Sequence, residues 1–218
     1  FIQHGVREDG VTRLPSVWRD WGGETALVLA LAAISKEPPP PKMDPVARIY
    51  QGTGFISEIQ SLFYPDFARP EPDILTRQSW LLVRQQMLEK QKSYFPKNFP
   101  QGMAAAHGFY GISACEGRNG VGYSVGGVDL PNQQLLSPHY VLMASLLSEK
   151  PSDVYALLRS MESENLLPPW GLVENFTQDK FEYLPMQGAL NACFESISAY
   201  HLLRKSRQES DELYAASM

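Results

Sequence analysis

Two cysteines in 218 residues, Cys115 and Cys193, are too few for a disulfide scaffold, and neither belongs to a CxxC pair that could start a zinc or redox motif. One bridge and two free thiols both stay open. Long apolar runs are equally scarce. The longest, Ala26 to Ile34 with Thr25 before it, is about half the length that crosses a bilayer, so no membrane span is expected. Clustered positive charge is missing too: 19 Lys and Arg stand against 24 Asp and Glu, for a net charge of −5. The short basic run Arg204-Lys205-Ser206-Arg207 falls at the end of an expected helix, where the helix dipole alone favours cations. Nothing else could neutralise a row of phosphates, and nucleic acid is not an expected partner. There is no GxGxxG or GxxxxGK[ST] loop, no HExxH and no GxSxG. The four histidines, His4, His107, His139 and His201, are far apart and suit core or solvated roles. No cofactor and no metal are expected.

What is present is ordinary globular material, 44% apolar and 11% aromatic, in a chain long enough to bury well over half of its unfolded surface. A single domain over 1–218 is expected, with loop at 1–20 and a tail at 205–218. The chain opens on Phe1 rather than Met, which fits a mature form or a fragment.

Local patterns predict helices. Glu24 to Ser35 is built of Ala and Leu and apolar on nearly every side, which predicts a central helix. Pro38 to Pro41 would follow it as an extended connector. Gly54 to Phe63 is an apolar segment closed by Pro65; Asp73 can cap a helix over Ile74 to Tyr94, ended by Pro96 and Pro100. Gln101 to His107 forms a short helix, and Ser137-Pro138 opens another to about Leu147. Ser152 opens Asp153 to Glu164, with Leu157, Leu158 and Met161 on one face. The last helix covers about Pro185 to Lys205, with Leu190, Phe194, Ile197 and Leu202 inward. Met143, Met161 and Met186 read as core filler. About seven helices and no convincing strand make the fold all-α.

Between the helices lie Gly-, aromatic- and carboxylate-rich stretches, the places where a rigid scaffold carries function. Three stand out. Glu24 follows Trp21-Gly22-Gly23; Glu116 sits in Tyr110-Gly111-Ile112-Ser113-Ala114-Cys115-Glu116-Gly117 ahead of Gly122-Tyr123; Glu174 sits in Trp170-Gly171-Leu172-Val173-Glu174-Asn175-Phe176. Carboxylates with aromatic rings and amides suit sugars: rings stack on pyranose faces, amides bind hydroxyls, and two carboxyls act as acid and base across a glycosidic bond. For each segment a structural role is the alternative: a first-turn dipole carboxylate for Glu24, a glycine-rich turn for the second and a capped loop for the third. Cys115 beside Glu116 offers a less favoured nucleophile.

In order and spacing, these segments resemble the bacterial glucoamylase-like (α/α)6-barrel proteins, which include endo-β-1,2-glucanases and a domain of cyclic β-1,2-glucan synthases. Gly23-Glu24-Thr25-Ala26-Leu27 resembles the family's Glu-led apolar helix, and Gly52-Thr53-Gly54-Phe55 through Asp66-Phe67 its next segment. Tyr110 to Gly117 resembles its Trp-Gly-x-[Ser/Thr]-Ala-Ser-Asp-Gly loop. Trp170 to Phe176 is similar to its Gly-Phe-Val-Asp-Ala-Phe segment, and Met186-Gln187-Gly188-Ala189 to its Asp-Gln-Gly-Pro. Glu replaces Asp at 116 and 174, and Met186 replaces an acid. The resemblance implies a toroid of helical hairpins, the C-terminal part of an (α/α)6 barrel, acting on a β-linked glucan. It implies Glu24 as general acid, with Glu116, Glu174 and Gln187 binding substrate and Trp21, Tyr123, Trp170 and Phe176 as stacking surface. An N-terminal segment or a second chain would complete the barrel and bring the base. Family members are often exported, so a periplasmic or extracellular location is expected, with a cytoplasmic one as the alternative. The competing reading is a non-catalytic carbohydrate-binding or assembly subunit on the same scaffold.

Overall fold

The computed structural model describes residues 2–3, 5–15, 17–18, 22–35, 49–72, 79–118, 122–147 and 150–216. Trp21, the proline connector and Asp73 lie outside them. Among the described residues there are seven α-helices: α1 (Glu24–Ile34), α2 (Gly54–Phe63), α3 (Trp80–Asn98), α4 (Met103–His107), α5 (His139–Ala144), α6 (Pro151–Ser163) and α7 (Ala189–Ala216). Strand structure is limited to three antiparallel two-residue pairs: β1 (Ile2–Gln3) with β2 (Val17–Trp18), β3 (Cys115–Glu116) with β4 (Tyr123–Ser124), and β5 (Leu135–Leu136) with β6 (Phe176–Thr177). The chain is all-α.

Helix α2 is the hub, packing on α1, α3, α5 and α7, while α7 also packs on α5 and α6. Three connected apolar groups result. Phe55, Ile56, Ile59 and Leu62 of α2 meet Met143 and Phe194; Ala26 and Leu29 of α1 meet Phe67 and Trp80; the largest gathers Phe95, Phe109, Tyr140, Phe176, Leu136, Val154 and Met161. Burying side chains of this size is the main stabilising term, at about 1.5–3 kcal/mol each. One ion pair is fully buried beside them, Arg84 of α3 to Glu58 of α2 at 2.6 Å. Burial pushes the Glu58 carboxyl up and the facing guanidinium pulls it back, so the pair must be kept whole to be tolerable.

Several local expectations are corrected. The loop expected at 1–20 is not plain where it is described: β1 and β2 pair, and a bridge joins Val6 to Arg13. The 205–218 segment is not a tail through Ala216, because α7 runs on to that residue. Helix α3 begins at Trp80, where the Ser79 hydroxyl accepts the Leu82 N–H at 3.4 Å, and it carries Pro96 inside its last turn. There a proline forfeits one hydrogen bond near an end that frays anyway. Ser137 and Ser152 cap nothing with their hydroxyls; α6 instead begins on Pro151, whose missing N–H would be unpaired at that position. Helix α1 is flanked rather than surrounded, and Leu31 and Ile34 face outward, Ile34 at 68% exposure. Leu190 also faces outward, and Asn191 takes the inward place beside it.

Candidate functional site

The Gly-rich stretch after Tyr110 is pinned at three points. Gln91 of α3 treats Ile112 as a strand neighbour would: its Nε2 donates to the Ile112 carbonyl at 2.8 Å and its Oε1 accepts the Ile112 N–H at 2.6 Å. Ser113 Oγ accepts the Phe55 N–H at 3.0 Å, one of the orphan donors at the start of α2. The third pin is Glu174. Its carboxylate accepts the Glu116 N–H at 3.0 Å and Asn191 Nδ2 at 2.7 Å on one oxygen, and the Gly188 N–H at 2.7 Å on the other. One buried anion thus ties the β3 strand, the turn before α7 and α7 itself, and Asn175 Nδ2 adds a bond to the Glu116 carbonyl at 2.5 Å.

Glu24 stands where α1 is held against α2 by the two glycines before it. The Gly23 N–H donates to the Ile56 carbonyl at 2.9 Å and to Gln60 Oε1 at 3.1 Å. Gly22 lies so close to α2 that a Cβ would stand 2.5 Å from the Ile56 carbonyl oxygen, so only glycine fits. This contact fixes where α1 starts, and Glu24 is its exposed first residue.

Tyr123 marks where the segments meet. It stands directly across from Glu116 in the β3–β4 pair. Its phenol proton is held well above the ordinary range, first by partial burial and then by the charges of Glu174, Cys115, Glu24 and Glu116. Glu116 pairs with Tyr123 across the strands and Glu174 holds the Glu116 N–H, while Glu24 is near enough for its charge to act on the phenol. Around them Tyr123 and Trp170 are each 47% exposed and Met186 is 41% exposed. Gln187 is half-buried at the same rim. Gly171, at φ +120°, approaches the Gln187 carboxamide so closely that a Cβ would lie 2.9 Å from Nε2.

Three expected roles change. Phe176 cannot be a stacking surface for sugar: it is fully buried, edge-on to Phe109 and Phe181 with ring centroids 6.0 and 5.5 Å apart. The β5–β6 register, Leu136 opposite Phe176, turns it into the core. Glu174 is only 1% exposed, and its three donors come from the protein, so its place is under the site rather than in its mouth. Met186 is not core filler but part of the rim. Cys115 is buried, and burial raises its thiol pKa against the lowering effect of Ser137, which disfavours the thiolate a nucleophile needs.

Sequence reasoning missed Glu195. This α7 carboxyl is buried and accepts from Gln187 Nε2 at 2.5 Å. Burial above all, with Glu174 adding to it against the Gln187 hydrogen bond, pushes its pKa up to about 8. Its place in the second turn of the helix that follows Gln187 was the one available signal. Among the described residues no group of His, Cys, Asp and Glu could hold a metal ion, and no helix is long and apolar enough to cross a membrane.

No protein-family model matches the chain, and no curated protein matches it significantly. Among solved structures it is similar to a putative glucoamylase from Bacteroides uniformis ATCC 8492, with a TM-score of 0.57 and 14% identity over 69% of this chain and 35% of that one. The chain thus spans about a third of the length of that protein. The likeness is one of fold: a glucoamylase-like, all-α arrangement of the toroid kind.

Proposed function

We propose that the chain acts on a β-linked glucan by acid/base glycoside hydrolysis, with Glu24 as the general acid. The observation that carries this reading is the meeting of Glu116 and Glu174 with Tyr123 at the β3–β4 pair, with Glu24 near enough for its charge to act on the phenol and the Tyr123 and Trp170 rings half exposed. Glu24 is the exposed one of the three, Glu116 being half-buried and Glu174 buried. Glu116 and Gln187 line the rim with polar atoms, Tyr123 and Trp170 offer faces for pyranose rings, and Glu174 fixes the loops on which they stand. Trp21, which lies outside the described residues, would extend the stacking surface. The base would come from an N-terminal segment or a second chain, and the outward apolar flank of α1 at Leu31 and Ile34 is a surface that such a part would cover. A periplasmic or extracellular location suits a polymeric glucan.

A second reading, carbohydrate binding without hydrolysis, is favoured by Met186, which places an exposed thioether at the rim where the resembling family carries an acid. Product formation from β-1,2- and β-1,3-linked gluco-oligosaccharides separates the two, measured beside binding by calorimetry for wild type and Glu24→Gln. The hydrolytic reading expects turnover in wild type and a loss of about 10²–10⁴-fold in Glu24→Gln with binding nearly intact, because the amide cannot donate the proton. Full activity in Glu24→Gln removes Glu24 as the acid. Binding without turnover supports the second reading, and no binding removes both.

A further inference from the structure

Glu195 lies on the inner side of α7, with Asn191 one turn before it and Ser198 one turn after, on the same helical face. Asn191 uses its Nδ2 on Glu174, which leaves its carbonyl oxygen to face elsewhere; that Oδ1 is buried with no partner, and so is Ser198 Oγ. A buried carbonyl oxygen asks for a donor, and a carboxylate has none to give. A carboxylic acid has one. The other face of Glu195 is already committed, since Oε2 accepts from Gln187 Nε2 at 2.5 Å.

We propose that Glu195 is a positioning residue of the candidate site: its carboxyl oxygen holds Gln187 Nε2, its O–H is directed to Asn191 Oδ1, and the Gln187 carboxamide is thereby fixed against Gly171 with Oε1 left to accept a hydroxyl. Asn191 carries the link on to Glu174, so the rim amide and the buried anion form one chain of hydrogen bonds. The buried surroundings agree, since burial keeps the proton on Glu195 at neutral pH. Of the elements packed against α7, α5 brings His139, kept uncharged by burial, and α2 brings Glu58, paired with Arg84. Helix α6 brings Asp153, Arg159 and Glu162, all exposed. Glu174 is the charge that acts on Glu195. Loss of the proton would set two anions side by side and reverse the polarity required at Asn191. The inference rests on the glycan reading only for what Gln187 contacts.

The test follows the Gln187 side-chain NH₂ resonance by ¹⁵N-correlated NMR from about pH 6 to about pH 9.5, assigned by its loss in Gln187→Asn. The expected result is a titration with its midpoint near 8 in wild type and a flat response in Glu195→Gln, which keeps the acceptor and supplies a permanent N–H. No titration in wild type, or the same titration in Glu195→Gln, overturns the proposal. Calorimetry with β-1,2-linked glucotetraose gives the functional arm. Affinity should fall about tenfold from neutral to alkaline pH in wild type, the worth of one hydrogen bond, and change little in Glu195→Gln. A resonance that titrates in a protein that binds no glucan sinks the glycan reading and leaves the positioning role standing. Glucan binding with no titration does the reverse.

Discussion

Glu174→Gln is the sharpest perturbation of the scaffold beneath the site, because it changes one atom and the charge while keeping the shape. The carboxylate presents two acceptors to three donors, the Glu116 and Gly188 N–H groups and Asn191 Nδ2. An amide presents one acceptor and one donor. With its NH₂ toward Gly188, that backbone N–H loses its partner and faces another donor. With its NH₂ toward Glu116, the same happens there, and Asn191 must turn its own amide to follow. Hydrogen bonds to a charged group are worth about 1.5–3 kcal/mol each, and a stranded buried donor costs about 1–3 kcal/mol. At least one bond is lost in either orientation, so the expected destabilisation is about 2–4 kcal/mol. For a chain of this size that is a fall in Tm of roughly 5–15 °C. Urea denaturation at neutral pH measures the total, and amide hydrogen exchange localises it: Glu116 and Gly188 should exchange faster while Ile112, held by Gln91, does not. A stability change within about 0.5 kcal/mol, the range of an ordinary surface substitution, would refute the reasoning.

Other outcomes follow from the same geometry. Gln91→Leu strands both the N–H and the carbonyl of Ile112 and should cost about 2–4 kcal/mol in denaturant unfolding, since each buried group loses its partner. Gly171→Ala forces a side chain into a left-handed backbone and against Gln187; it should weaken glucan binding in calorimetry while costing about 1–3 kcal/mol of stability. Glu195 holds its proton up to about pH 8 in the fold, against an ordinary value of 4.5. Between those values the folded chain binds more protons than the unfolded one, so this group's contribution to stability is greatest in acid, falls by up to about 1.4 kcal/mol per pH unit as pH rises, and levels off above about 8. Wild type minus Glu195→Gln, unfolded in urea across that window, should show this slope.

The sequence made the scaffold legible where composition and punctuation agree. Helix α2 runs from Gly54 to Phe63 as its apolar run and Pro65 dictate, and α1 starts at Glu24 after two glycines. It was less informative where tertiary contacts decide. Pro96 does not stop α3, because the last turn has few bonds to lose, and α7 extends past its basic run. In the site, Gly and aromatic neighbours singled out Glu116, Tyr123 and Trp170. The same signs misplaced Phe176, whose burial depends on a two-residue pairing with a strand some forty residues away. The saturation of Glu174 and the importance of Glu195 depend on who donates to whom across three segments, which spacing along one chain does not encode.

A glucan that binds this chain should seat on the rim formed by Tyr123, Trp170, Met186 and Gln187. Titrating β-1,2-linked glucotetraose into isotopically labelled protein and mapping the shifted resonances tests it most directly. The Trp170 indole, the Gln187 side-chain amide and the backbone amides of Glu116 and Tyr123 should shift together along one binding curve. Shifts gathered elsewhere, such as along the exposed side of α3 at Gln85 and Glu89, or no shifts with any β-linked glucan, would contradict it.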